Sequence, residues 1–67
     1  MELMEKFERN VKIMMKEKGY TQLELSKKMG VGKSTVNNWL TVHKEPTLSN
    51  IYKLIKALNC TFDELID

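Results

Sequence analysis

Gly30-Val31-Gly32-Lys33-Ser34-Thr35 is the stretch of this chain whose residue types invite phosphate chemistry. Glycines let backbone amides approach an anion closely, the lysine supplies charge, and the hydroxyls can meet an oxygen or a metal. A nucleotide-cradling loop has the order G-x-x-x-x-G-K-[ST], and five residues before Gly32 stands Lys27 rather than glycine. Such a loop also follows a β-strand, whereas Leu23 to Met29 reads as helix, and no acidic strand motif is present to hold magnesium. Nucleotide hydrolysis is excluded on both counts.

Other chemistries fare no better. No carboxylate pair or nucleophile–base pair stands out, so no enzyme and no cofactor is expected. Cys60 is the single cysteine and His43 the single histidine, too few for a zinc site, which takes at least three protein ligands. One cysteine allows no intramolecular disulfide, which fits a reducing cytoplasm. No apolar run approaches the roughly 18 residues of a membrane span, and no signal peptide is visible.

A chain of 67 residues is one small domain. At this size only about 60% of the unfolded surface is buried, which suits a binding module better than a cleft closed by a second domain. Charged residues at 30% and hydrophobic residues at 42% describe a folded globular chain. The net charge of +2 permits a nucleic-acid partner without demanding one. Its distribution says more: Lys27 to Lys44 holds four lysines and no acid.

The elements that must position these residues are helices. Leu3, Phe7, Val11 and Met14 form an amphipathic stripe that Gly19 ends. Thr21 to Glu24 is a capping box opening a two-turn helix, which carries Leu25 and Met29 and closes at Gly30. After a tight connection, Lys33 to Leu40 forms a third helix with Val36, Trp39 and Leu40 inward and an uncharged or basic outer face. Thr41 to Pro46 is a loop. Thr47 caps a fourth helix bearing Leu48, Ile51, Leu54, Ile55 and Leu58, and a second capping box, Thr61 to Glu64, opens a last short one. Met4, Met14, Met15 and Met29 fall at helical spacing as apolar gap-fillers, and Trp39 and Cys60 are expected inside. The chain is all-α, with five helices.

Two short helices joined by a glycine-containing turn make a helix-turn-helix unit. Gly30 supplies the turn, Val31 fills the angle between the helices, and Gly32, Lys33 and Ser34 stand at a helix N-terminus that attracts phosphate. An ordinary helical hairpin with a solvated face would share this pattern.

These residues resemble the Cro and phage-repressor type of helix-turn-helix domain, the XRE-like family. The likeness covers about residues 7 to 66: Gly19-Tyr20-Thr21-Gln22, Leu25-Ser26, Met29-Gly30-Val31, Ser34-Thr35-Val36, Trp39, Pro46-Thr47-Leu48, Lys56-Ala57-Leu58 and Thr61-Phe62-Asp63-Glu64-Leu65. It implies a single five-helix domain over residues 1–67 of the lambda-repressor-like kind, with the motif at about residues 22–41 in helices 2 and 3. It further implies a sequence-specific regulator of transcription, a repressor, that inserts Lys33–Leu40 into the major groove of a roughly palindromic operator.

Gly32, Lys33, Ser34, Asn37 and Asn38 then fall at base-reading positions. Lys33 can donate to guanine, Asn38 can pair with adenine, and Ser34 serves either; plain surface polarity also accounts for the two asparagines. Thr21, Gln22, Thr35, Thr41 and Lys44 are the phosphate candidates. Phe62, Leu65 and Ile66 are placed at a homodimer interface, unless they only close the monomer core. The partners implied are double-stranded DNA and a second copy. The alternative is a protein-interaction module, antirepressor- or antitoxin-like, that uses the same fold to bind another regulator.

The chain departs from the family pattern in two respects, at three positions. Met15 and Leu40 stand where many members pair an arginine with a glutamate, and both being apolar implies that they meet in the core. Val42 stands where many members have glycine, and a β-branched side chain resists positive φ, so the loop from Thr41 to Glu45 is expected to take another course.

Overall fold

The computed structural model describes residues 2–67 as five helices with no strand among them: α1 (Leu3–Lys18), α2 (Gln22–Met29), α3 (Lys33–Thr41), α4 (Leu48–Leu58) and α5 (Phe62–Ile66). The local signals for starting helices act as read. Thr21 Oγ1 accepts from the Glu24 N–H at 3.1 Å while Glu24 Oε1 accepts from the Thr21 N–H at 3.0 Å. Thr61 and Glu64 repeat that exchange at α5, and Thr47 Oγ1 accepts from the Asn50 N–H at 3.1 Å at α4.

Three helices stop in one way. Gly19, Gly30 and Asn59 are left-handed, and the next amide closes on the carbonyl five residues back: Tyr20 on Met15, Val31 on Ser26, Cys60 on Ile55. α3 stops differently. Val42 keeps a right-handed conformation at φ −103°, and His43 takes the positive φ of 62°. The Lys44 amide then bonds the Asn38 carbonyl six residues back at 3.0 Å, which the Val42 amide shares at 3.3 Å. The branched Val42, which disfavours a positive φ, stays right-handed, and the left-handed conformation falls on the residue after it.

One core joins all five helices. It comprises Phe7, Val11 and Met15 of α1, Leu25 and Met29 of α2, Val36, Trp39 and Leu40 of α3, Leu54 and Leu58 of α4, and Leu65 of α5. Met15 and Leu40 are both buried in it, and α1 packs on α3. α2 lies between α3 and α4, helped by the small buried Ser26, whose hydroxyl donates to the Leu23 carbonyl at 2.7 Å. α5 has only five residues, but α1 anchors it: Asn10 Nδ2 donates to the Leu65 carbonyl at 3.0 Å and Arg9 Nη2 to that of Asp67 at 2.8 Å.

The structure corrects three details of the sequence analysis. The buried stripe of α1 runs through Met15, with Met14 only partly covered and Leu3 60% exposed, since Leu3 lies a turn short of the packed region. Leu48 is 84% exposed because the buried side of α4 starts beyond it, at Leu54 and Leu58, flanked by Ile51 and Ile55. Leu65, placed at a dimer interface, has no exposed surface: it fills the core under α1. Cys60 is half-buried, and desolvation pushes its thiol pKa up, with Glu64 adding to the effect and Lys18 opposing it.

Candidate nucleic-acid interface

At 3.6 residues per turn, burying Val36, Trp39 and Leu40 of α3 turns Ser34, Asn38 and Thr41 to the opposite side, with Asn37 at its flank and Lys33 in the first turn. Lys33, Ser34 and Thr41 are exposed and the two asparagines half-exposed. Ser34 and Asn38 therefore share the outward face, and Asn37 and the exposed Lys33 border it. They offer a cationic amine, a hydroxyl and two amides, side chains that can match base edges by donor and acceptor geometry.

Gly32, the fifth candidate, precedes α3 as its N-cap. Having no side chain, it caps no amide, in contrast to the threonines before α2, α4 and α5. The Thr35 amide bonds the Gly32 carbonyl at 3.0 Å. Unlike Gly30 at φ 72°, Gly32 sits at φ −74°, where any residue fits, and a Cβ there would meet Ser34 Oγ at an ordinary 3.7 Å. The fold itself does not demand glycine at 32.

The phosphate candidates lie on two parts of the chain. Thr21 and Gln22 lie together at the start of α2, and Thr21 Oγ1 accepts a bond there but keeps its own hydrogen to donate. Glu24 completes that cap, and the Thr21 backbone N–H, then the Thr21 hydroxyl and Lys27, hold its carboxyl below the usual glutamate range. A cleft runs between α3 and the start of α4, lined by Thr35, Asn38 and Trp39 facing Lys44, Glu45, Pro46, Thr47 and Asn50, so an acid stands beside the lysine there. Thr41 is the weaker candidate: its hydroxyl hydrogen is already given to the Asn37 carbonyl at 2.7 Å. Lys28 leans over the Tyr20 ring, 5.3 Å from its centroid, while Lys27, Lys33 and Lys44 are exposed around the motif.

Sequence reasoning missed one contact beside the site. His43 Nδ1 meets both carboxylate oxygens of Glu8, at 2.9 and 2.8 Å. Glu8 is buried on α1, 35 residues away, so no local spacing signalled the pair. Among the described residues no group of three His, Cys, Asp or Glu could hold a metal, and no helix is long and apolar enough to cross a membrane.

Comparison with known proteins agrees with this geometry. The family model described as helix-turn-helix matches residues 11–65. Among curated proteins, the antitoxin HipB of Escherichia coli (strain K12) is 31% identical over 48 residues, which are 72% of this chain and 54% of that protein. The chain thus spans about half the length of this relative. No solved structure matches. With the match running from the middle of α1 to α5, the chain belongs to the XRE-type helix-turn-helix family.

Proposed function

We propose that this domain is a sequence-specific DNA-binding regulator of transcription, acting as a repressor with α3 in the major groove of a roughly palindromic operator. The observation that carries the proposal is the outward face of α3, where Ser34 and Asn38 stand, bordered by Asn37 and Lys33, in a helix-turn-helix frame. Lys33 donates to guanine O6 or N7, Asn38 pairs with adenine, and Ser34 and Asn37 contact neighbouring edges. Gly32 lets the backbone approach the groove. Thr21, Gln22, Thr35 and Lys44 bind phosphates and set the register, and Thr41 joins them only by releasing its hydroxyl from the Asn37 carbonyl. The protein works in the cytoplasm as a homodimer, with Phe62, 49% exposed, and the half-buried Ile66 at the contact.

The likeness to an antitoxin favours a second reading, in which the domain is a protein-interaction module that uses the same fold to bind another regulator in place of DNA. The apolar groove lined by Leu3, Met4, Phe7, Ile51, Phe62 and Ile66 is the surface available for it.

Salt titration of duplex binding separates the two. Each phosphate neutralised contributes about −0.9 to the slope of log affinity against log salt. A DNA reader with several such contacts loses affinity steeply between 50 and 200 mM salt, whereas a flat response with negligible affinity contradicts the proposal and favours the protein partner.

A further inference from the structure

α3 is the one helix among α1 to α4 whose left-handed terminating residue is neither glycine nor asparagine. A left-handed backbone is unfavourable for an L-residue with a side chain, and it persists where surrounding contacts over-determine it. Here the surrounding contact is visible. The His43 ring is fixed by Nδ1 to both oxygens of Glu8, whose side chain is 10% exposed, while the ring itself is largely open to solvent. Glu8 in turn needs this partner, because a carboxylate taken out of water without one is costly.

The conformation held at His43 decides where the chain goes next. It carries the Lys44 amide back onto the Asn38 carbonyl, so the loop and the last turns of α3 are locked at one atom. Lys44 then stands at the cleft beside Asn38 and Thr35. We propose that His43 is a positioning residue: clasped to Glu8 of α1, it fixes the loop after α3 so that Lys44 is held at the phosphate backbone beside the reading helix. The inference rests on the DNA-binding proposal above and adds to it a role for two residues that touch no DNA.

The test uses the whole chain and a mixed-sequence duplex of 30 base pairs, since phosphate contacts act on every sequence. The paired variant Glu8→Met with His43→Gly removes the clasp and the buried charge together, and gives φ 62° to a residue that takes it freely. It is expected to fold, to lose hydrogen-exchange protection at the Lys44 amide, and to bind about 8-fold more weakly at 0.1 M salt, with a salt slope shallower by about 0.9, the share of one phosphate. Lys44→Ala in the otherwise unchanged chain gives the same loss, and added to the paired variant it costs nothing more. Glu8→Gln keeps an oxygen for the Nδ1 hydrogen and retains affinity within about twofold, since the hydrogen bond and not the charge holds the loop. A folded paired variant with unchanged affinity and salt slope overturns this inference alone. A wild-type chain that retains no duplex at low salt overturns the DNA-binding proposal and this inference with it.

Discussion

Phe7 of α1 and Trp39 of α3 meet edge to face, with ring centroids 6.2 Å apart and planes inclined at 75°. Both rings are buried, so this pair is where the long first helix sets the seat of the helix that carries the polar face. Edge-to-face pairs contribute about 0.5–1.5 kcal/mol beyond the area they bury.

Phe7→Leu keeps an apolar group in place but removes the ring contact and leaves a small void. A loss of about 1–2 kcal/mol is expected. Urea unfolding followed by Trp39 fluorescence measures it without ambiguity, because Trp39 is the single tryptophan. An unchanged midpoint would show that the pair does not seat α3.

The cap of α2 makes stability depend on acid. Hydrogen bonds from Thr21 lower the Glu24 pKa in the folded chain, so the folded state favours the charged carboxylate. That contribution is complete above the unfolded glutamate pKa and is lost as pH falls through the lower, folded one. Thermal melts of wild type and Glu24→Gln should differ at pH 7, wild type higher, and converge in strong acid. A gap that widens on acidification would reverse the sign argued here.

The two turn glycines should behave oppositely. Gly30→Ala forces a side chain to φ 72° and costs about 1–2 kcal/mol of stability. Gly32→Ser meets no clash and offers α3 a capping hydroxyl, so stability holds or rises by a few tenths of a kcal/mol. Its effect should appear in DNA affinity, through the groove approach proposed for Gly32. If Gly32→Ser binds every duplex as wild type does, the backbone does not come close to the bases.

Lys33→Ala and Asn38→Ala should each cost about 1–3 kcal/mol on the preferred duplex and blur the preference at one or two base pairs. Gln22→Ala should weaken all duplexes alike, as a phosphate contact does. Binding measured on a panel of single-base variants distinguishes the two patterns; a changed base preference in Gln22→Ala would mean that this side chain reads bases.

The parts of the fold legible in the sequence are those set within a few residues. Thr21 with Glu24, Thr61 with Glu64, and the stops at Gly19 and Gly30 all act over one helical turn, and each appears in the structure as read. The polar face of α3 was legible for the same reason, since Val36, Trp39 and Leu40 fix its opposite side.

Periodicity alone could not tell Met14 from Met15, nor show that Leu3 and Leu48 lie beyond the reach of their packing partners. Those outcomes depend on where neighbouring helices begin. Contacts spanning the chain were illegible altogether. Glu8 with His43 and Asn10 with the Leu65 carbonyl join residues 35 and 55 apart, and only the assembled fold brings them together. Val42 gave half the answer: its branching announced a different loop, but not that His43 would take the left-handed turn.

The central claim is that α3 reads base pairs, and selection of bound duplexes from a random pool at moderate salt tests it most directly. The account predicts enrichment of a motif with two-fold symmetry, its half-sites about 34 Å apart, and loss of preference at one position in each half when Asn38 is replaced by alanine. Retention without any enriched motif, unchanged by Lys33→Ala and Asn38→Ala, would contradict it.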